Sequence, residues 1–339
     1  MQAGRTLIIA EVGINHNGDM DLAELMIRSA KGAGADAVKF QNYLTADFLT
    51  DDTLTHTYTS QGRQVTEPQR AMFGRCELSQ DDLERLKKCC DDIGIMFIST
   101  PTNNDGVDAL ARLNSPYLKN GSDYLGHLPL IQHMARTGLP TILSTGMATQ
   151  ADIDEAVHTF RDAGGKELIL LACTSSYPTP PDQANLLKLS SLAQRYGCAV
   201  GFSDHTEGWM AAVGSVCLGA TVIEKHFTSD RNLPGPDQWF SSDPAEFAEL
   251  VCRVRQMETL MGTGDLKPTA NELQHLSGSK LSCVAAHDLP AGSVITEAEI
   301  TFRRPATGLR PALAARLKGT VLKQAMKSGT PFTEENLQA

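Results

Sequence analysis

The sequence predicts a parallel (β/α)8 barrel, a TIM barrel, followed by a small β-rich domain, and three observations predict it. Short apolar runs alternate with amphipathic segments from Ile8 to Met261. Eight such runs can be counted, each followed by a helical period. Polar residues gather at the ends of the runs rather than inside them. Eight strands alternating with helices close a barrel of about 250 residues, which carries its chemistry at the C-terminal ends of its strands. An open doubly wound sheet would want a glycine-rich phosphate loop after the first strand, and GINHNGD is not GxGxxG.

The first strand-helix-strand unit spans Ile8 to Gln41. Leu22, Leu25, Met26 and Ser29 recur there at helical spacing, and Gly32 and Gly34 stop the helix before a second run begins at Ala37. Glu11, Asn15 and His16 stand at or just beyond the end of the first strand. Lys39 and Gln41, two apart and so on one face, end the second. Asn42 to Leu78 is polar and irregular, and a loop of that length reads as a functional lid.

Alternation then resumes. Ser79 caps a helix through DDLERLKKCCDDIG, and the strand Ile95 to Ser99 follows. Helices over Val107 to Leu113, Leu128 to Thr137, Ala151 to Ala163, Leu186 to Tyr196 and Trp209 to Leu218 interleave with five strands. Those strands are Tyr117 to Lys119, Thr141 to Ser144, Leu168 to Cys173, Ala199 to Ser203 and Val222 to His226. A last helix, opened by Asp243 and Pro244, shows Phe247, Leu250, Val251, Val254, Met257 and Met261 along one side. The domain boundaries read as a barrel over 1–261, a polar linker over 262–280 without apolar period, and a small β-rich domain over 281–339.

Composition narrows the function. With 339 residues, 41% hydrophobic and 21% charged, the chain can bury one large core and a small one. No run approaches the roughly 20 apolar residues of a membrane span, and the start lacks a leader pattern, so a soluble cytoplasmic protein is expected. Cys76, Cys89, Cys90, Cys173, Cys198, Cys217, Cys252 and Cys283 are scattered without a CxxC pair. A formal net charge of −10 leaves no basic stripe for nucleic acid.

Two constellations carry chemistry. In GFSDH and IEKHF, period-two alternation puts Ser203 and His205 on one face, and Glu224 with His226 on one face of the next strand, while Lys225 turns away. Two imidazoles at the barrel mouth suit a borderline divalent metal with positions left for water and substrate; the alternative is two hydrogen-bonded structural histidines. His56, His127, His133, His158, His275 and His287 read as such bystanders. Lys39, Thr100, Lys119, Ser122 and Ser203 end successive strands, so two ammonium groups and three hydroxyls can converge on one anion.

Read together and in order, IIAEVGINHNGD, AVKFQ, FISTP, ILSTGM, CTSSYPTP, GFSDH, IEKHFT and PGPD resemble the sialic acid (nonulosonate) synthase family. The tail, centred on ITFRRPATG, resembles that family's antifreeze-like (SAF) domain. The resemblance runs through nearly the whole chain. It implies condensation of phosphoenolpyruvate with an N-acylated mannosamine-type aldehyde sugar to a nine-carbon 2-keto-3-deoxy sugar acid. It further implies a divalent metal, commonly Mn2+ with Mg2+ or Co2+ possible, on His205 and His226. Phosphoenolpyruvate would be held by Lys39, Thr100, Lys119, Ser122, Ser175 and Ser203. The acceptor sugar would be met by Glu11, Gln41, Tyr177 and Asp237, and by Arg304 delivered in trans within a domain-swapped homodimer. Glu11 is the candidate for proton transfer or for stabilising the cationic centre, and Glu224 for a carboxylate supporting the metal water; the alternative for both is a buried acid that only orients Lys39 or His226. Asn15 and His16 are expected to shape the loop around the sugar.

Two departures from the family pattern fall on the acceptor side, and a third, Ser175, on the donor side. Asp123-Tyr124 stands where N-acetylneuraminate synthases tend to have Gly-Glu, Ser175 where they often have Asn, and Gly278-Ser279-Lys280-Leu281 where Arg-Arg-Ser-Leu is common. N,N'-diacetyllegionaminate or pseudaminate synthesis from a 2,4-diacetamido sugar therefore competes with synthesis of N-acetylneuraminate. A noncatalytic sugar-binding protein and a barrel making a shorter keto acid are the other classes.

Overall fold

In the computed structural model, which describes residues 5–338, the apolar runs become barrel strands and the amphipathic segments wrap them. β1 (Leu7–Gly13) leads through α1 (Met20–Gly32) to β2 (Ala37–Asn42). α2 (Thr45–Phe48), β3 (Thr55–Ser60), β4 (Arg63–Pro68) and α3 (Gln69–Gly74) follow. The barrel resumes with α4 (Gln80–Ile93), β5 (Met96–Pro101), α5 (Asn104–Arg112), β6 (Leu118–Asn120), α6 (Leu128–Arg136), β7 (Thr141–Ser144) and α7 (Gln150–Asp162). It ends with β8 (Leu168–Cys173), α8 (Lys188–Tyr196), β9 (Ala199–Asp204), α9 (Met210–Cys217), β10 (Val222–His226) and α10 (Pro244–Met261). The sheet closes in the order β1-β10-β9-β8-β7-β6-β5-β2, all parallel.

One face of each strand changes character along its length. Leu7, Ile9, Ala37, Ile98, Ile142, Ile169, Leu171 and Val222 form the apolar plug inside the barrel. Two residues further along the same faces stand Glu11, Lys39, Thr100, Lys119, Ser144, Cys173 and Glu224, because side chains on one side of a strand recur every second residue. Each buried Ile or Leu of the plug contributes roughly 1.5–3 kcal/mol, which supports the buried charges above it. Gly201 makes the plug possible: a Cβ there would meet the Val222 carbonyl at 2.5 Å and Leu171 Cδ2 at 2.6 Å. The outer strand faces pack under the helices in two further clusters.

Three expectations are corrected. In α1 the buried stripe is Ala23, Met26, Ile27 and Ala30, and Leu25 is 54% exposed. Spacings of three and four fit either stripe, and only packing against the barrel chooses between them. Asn42 to Leu78 is not irregular: it holds α2, α3 and the antiparallel β3/β4 hairpin, turned at Gln61 and Gly62 with φ of 50° and 72°. The hairpin strands are largely exposed, so they carry no apolar alternation to read. The stretch read as a linker contains α11 (Ala270–Ser279), opened by a capping box between Thr269 and Glu272. No residue of α11 is buried, which is why the helix left no apolar period in the sequence.

The chain divides into two compact units, one ending at Gly262 and the other beginning at Thr263. After α11, the second unit continues with β11 (Ser282–Ala285) and β12 (Ile300–Arg303), then α12 (Ala314–Leu317), β13 (Val321–Leu322) and β14 (Leu337–Gln338). β11/β12 and β13/β14 are separate antiparallel pairs around a core that includes Cys283, Leu289, Ile295, Leu322 and Phe332. Among the described residues no helix is long and apolar enough to cross a membrane.

Candidate active site

A cavity of about 770 Å3 opens at the C-terminal end of the barrel strands. It gathers Glu11, Lys39, Gln41, Thr100, Lys119, Ser122, Ser175, Tyr177, Ser203, His205, Glu224, His226 and Asp237. Arg304 is not among them; it is exposed just beyond β12 in the second unit. His56, read from the sequence as a bystander, lines the cavity from the hairpin together with Tyr58 and Gln64. Of the other bystanders, His127 caps α6 through its side chain, and His133 pairs with Asp108 at 2.8 Å.

At the floor lies a cage of four buried charges. Lys39 Nζ is 2.6 Å from Glu11 Oε2 and 3.8 Å from Glu224 Oε2, and it donates to Thr100 Oγ1 at 2.9 Å. Lys119 Nζ is 3.7 Å from Glu224 Oε2 and donates to Ser144 Oγ at 2.7 Å and to the Asn120 carbonyl at 3.0 Å. Ser203 Oγ donates to Glu224 Oε1 at 3.1 Å, and Gln41 Nε2 donates to Glu11 Oε1 at 3.3 Å.

These neighbours split the two carboxyls. Burial is the largest influence on Glu11; Lys39 offsets part of it and Glu224 adds to it, leaving this carboxyl at about 7. For Glu224 burial acts the same way, but Lys119, Lys39 and the Ser203 hydroxyl outweigh it and hold the group at about 2. Burial opposes the charge of both lysines. The two carboxylates overcome it at Lys39, which rises, whereas Lys119 stays below the usual lysine range. Lys39 thus remains charged while Glu11 is poised to gain or lose a proton near neutrality.

Beside the cage, Gly146 N donates to Ser122 Oγ at 3.0 Å. A Cβ on Gly146 would lie 2.4 Å from Ser175 Oγ, 2.7 Å from Ser122 Oγ and 3.1 Å from Cys173 Sγ, so the glycine keeps this hydroxyl-lined recess open. Sequence reasoning missed Ser144, Gly146 and Cys173. Ser144 stands at the same strand end as the residues it did find, a position that offered a signal; the need for glycine at 146 emerges only from packing.

His205 and His226 meet with ring centroids 5.5 Å apart, and the Tyr177 ring covers both at 4.2 and 5.7 Å. His205 Nδ1 faces the Thr174 carbonyl at 2.8 Å, which assigns a proton to Nδ1, and Nε2 lies 3.5 Å from Ser203 Oγ. Burial, then the facing His205, keeps His226 far below the usual imidazole range, and its buried Nδ1 has no hydrogen-bond partner. Burial raises Asp237 to about 6, with His205 pulling the other way, and its Oδ2 lies 3.9 Å from His226 Nδ1. Two imidazoles with an orphaned buried nitrogen fit a borderline divalent cation. Among the described residues no group of three or more His, Cys, Asp or Glu side chains is arranged to hold a metal.

Asn15 and His16 do not line the cavity. Asn15 Nδ2 donates to the Phe227 carbonyl and to Ser241 Oγ, while its own carbonyl accepts from Gln238 Nε2. Asn15 therefore ties the loop after β1 to the segment that carries Asp237. His16 is wholly buried, and burial depresses it to about 4.

Residues 26–266 match the model of the NeuB family, and residues 282–338 match the SAF domain. The chain belongs to the NeuB family. It is 37% identical over 337 residues to N,N'-diacetyllegionaminic acid synthase of Legionella pneumophila, an alignment covering 98% of this chain and 94% of that one. It is 34% identical to N-acetylneuraminate-9-phosphate synthase of Mus musculus, covering 87% and 82%. Among solved structures, the N-acetylneuraminic acid (sialic acid) synthetase of Leptospira borgpetersenii is 33% identical with a TM-score of 0.71, over 80% of this chain and 90% of that one. As a member of this family of synthases, the chain is a carbon–carbon-bond-forming enzyme. The barrel and SAF domain expected from the motifs are the architecture of this NeuB family member.

Proposed function

We propose that this NeuB family enzyme condenses phosphoenolpyruvate with the open-chain aldehyde of an N-acylated mannosamine-type sugar and water. The products are phosphate and a nine-carbon sialic acid of the N-acetylneuraminate type. One observation carries the reading: the lysine and hydroxyl recess for a trianionic donor adjoins two imidazoles at a single barrel mouth.

In this reading Lys39, Thr100, Lys119, Ser122, Ser175 and Ser203 bind the phosphate and carboxylate of the donor, while Gln41, Tyr177 and Asp237 orient the acceptor. Holding both substrates in line supplies much of the rate. The donor methylene carbon bonds to the aldehyde carbon, water adds at donor C2, and the C2–O bond to phosphate breaks. The water loses both of its protons, one as it adds and one as the C2 hydroxyl becomes the ketone; the aldehyde oxygen gains one and the departing phosphate the other. Glu11, bonded to Gln41 through Oε1 and paired with Lys39 through Oε2, is the group that moves a proton, and its position near neutrality suits that work. Glu224 keeps both lysines charged and aligned.

His205 and His226 would hold a divalent metal, Mn2+ in the first instance with Mg2+ or Co2+ as alternatives. When bound, such an ion polarises a carbonyl oxygen. Arg304 would contact the acceptor's N-acyl group from a second copy, in a swapped homodimer, and the enzyme would work in the cytoplasm.

A second reading has its own observation. Tyr124 lies in the cavity wall with its ring stacked on His127, centroids 5.9 Å apart at 9°. A phenol there cannot accept sugar hydroxyls as a carboxylate does. This favours a 2,4-diacetamido-trideoxyhexose acceptor and a legionaminate- or pseudaminate-type product.

The test is to strip the protein with a chelator and supply phosphoenolpyruvate, a panel of both acceptor types, and Mn2+ or none. Phosphate release that requires metal and acceptor, with a product mass equal to acceptor plus pyruvate, is expected. No phosphate release with any acceptor would overturn the proposal.

A further inference from the structure

Asp204 precedes His205 and Lys225 precedes His226, and both point away from the cavity because strand side chains alternate. They are buried, at 1% and 4% exposure. Burying such a pair brings little net stability, since desolvation offsets the attraction, so its geometry invites a different explanation.

Lys225 Nζ lies 2.9 Å from Asp204 Oδ2 and donates to the Thr206 carbonyl at 2.6 Å. The other oxygen, Asp204 Oδ1, accepts from Thr206 N at 2.9 Å and from Thr206 Oγ1 at 2.7 Å. The residues on both sides of His205 are therefore fastened to one ammonium group on the neighbouring strand. That grip sits where the sheet stops providing one. β9 ends at Asp204, and Asp204 with Lys225 is the last registered pair between β9 and β10. The short hydrogen bonds at His205 itself come from another loop: its carbonyl accepts from Thr179 N at 2.8 Å and its Nδ1 meets the Thr174 carbonyl, while Ser203 Oγ lies 3.5 Å from its Nε2 and Cys173 Sγ 4.0 Å from its Nδ1.

We infer that the Asp204–Lys225 ion pair is a positioning device that carries the β9–β10 register past the end of the ladder and sets the His205 imidazole opposite His226. Its consequence for metal affinity rests on the proposal that these two histidines hold a divalent ion. The placement of the ring itself does not. Neither Asp204 nor Lys225 touches the cavity, so both act through the backbone around His205.

The full-length protein is compared with Lys225→Met, Lys225→Arg and the paired replacement Asp204→Leu/Lys225→Met. Three quantities are measured: Tm, the Kd for Mn2+ by titration of the chelator-stripped protein, and the His205 imidazole tautomer by 15N NMR without metal. Lys225→Met is expected to weaken Mn2+ binding by about 10–100-fold, the usual cost of losing an outer-shell partner, with phosphoenolpyruvate affinity little changed. The Nδ1–H tautomer of His205 is expected to give way to exchange between forms. Should the single variant fail to fold, the apolar pair keeps the test alive, because replacing both charges restores packing without restoring the grip on Thr206. It should recover Tm yet keep the weak Mn2+ binding and the mixed tautomer, while Lys225→Arg stays near the wild type in all three. Wild-type Mn2+ affinity and a single tautomer in the apolar pair would overturn the inference. If the wild type takes up no Mn2+, the metal proposal falls, and the tautomer still decides the role of the ion pair.

Discussion

Lys39 and Glu11 face each other across neighbouring barrel strands with 2.6 Å between Nζ and Oε2 and less than one twentieth of either side chain exposed. The pair adds little net stability while intact, but each partner makes the other's burial tolerable. Lys39→Met leaves Glu11 without its nearest cation and Glu224 with Lys119 alone, and breaking such a pair from one side costs about 3–5 kcal/mol. Lys39→Met combined with Glu11→Gln is expected to cost clearly less than the sum of the single changes, read from urea unfolding of the metal-free protein. Strict additivity would show that the two groups do not couple.

Glu11 also imposes a pH dependence. Its folded position of about 7 lies above the ordinary 4.5, so the native state keeps a proton that the unfolded chain has lost. That contribution is fully present below about 4.5 and is lost as the pH rises through 7. Glu224, held at about 2, runs oppositely: its contribution is present above 4.5 and is lost as the pH falls through 2. The Tm of metal-free Glu11→Gln relative to the wild type should therefore be more favourable at pH 8 than at pH 5. Equal differences at the two pH values would contradict the assignment. In turnover, Glu11→Gln should lower kcat by about 100-fold or more if this group moves the proton.

Gly146→Ala tests the donor recess. The added methyl would enter the space bounded by Ser122, Ser175 and Cys173, raising the KM for phosphoenolpyruvate between about 10- and 100-fold. The acceptor KM and Tm should change little. A larger effect on the acceptor would move the donor elsewhere in the cavity.

Tyr124→Glu tests acceptor choice. Restoring a carboxylate should shift the ratio of kcat/KM toward N-acetylmannosamine and away from 2,4-diacetamido sugars by about 10-fold. An unchanged ratio would mean that this wall does not read the acceptor.

Arg304→Ala is expected to raise the acceptor KM far more than the donor KM. Mixing it with Glu11→Gln should restore activity at low acceptor concentration, since one combined site would then hold both native residues. Equal effects on both substrates, or no gain on mixing, would argue against a contact made in trans.

Much of this molecule was legible from spacing. The alternation Leu7, Ile9, Glu11 places plug and site on one strand face, and Val222, Glu224, His226 repeats the pattern on its neighbour. Elements without a buried face were not legible: the β3/β4 hairpin and α11 pack too little apolar surface to leave a period in the chain. Leu25 shows the converse, an apolar residue at a plausible helical position that packing leaves in solvent.

The sequence by itself determined the order of strands and helices, the faces on which the ionisable residues lie, and the end of the barrel at which they gather, because those follow from backbone periods of 2 and 3.6 residues. Only the closed tertiary structure decided which lysine meets which carboxylate, why Glu11 rises while Glu224 falls, and how Lys225 reaches past its own strand to hold Thr206. Those outcomes depend on distances between strands far apart in sequence and on the exclusion of water, neither of which exists until the barrel closes.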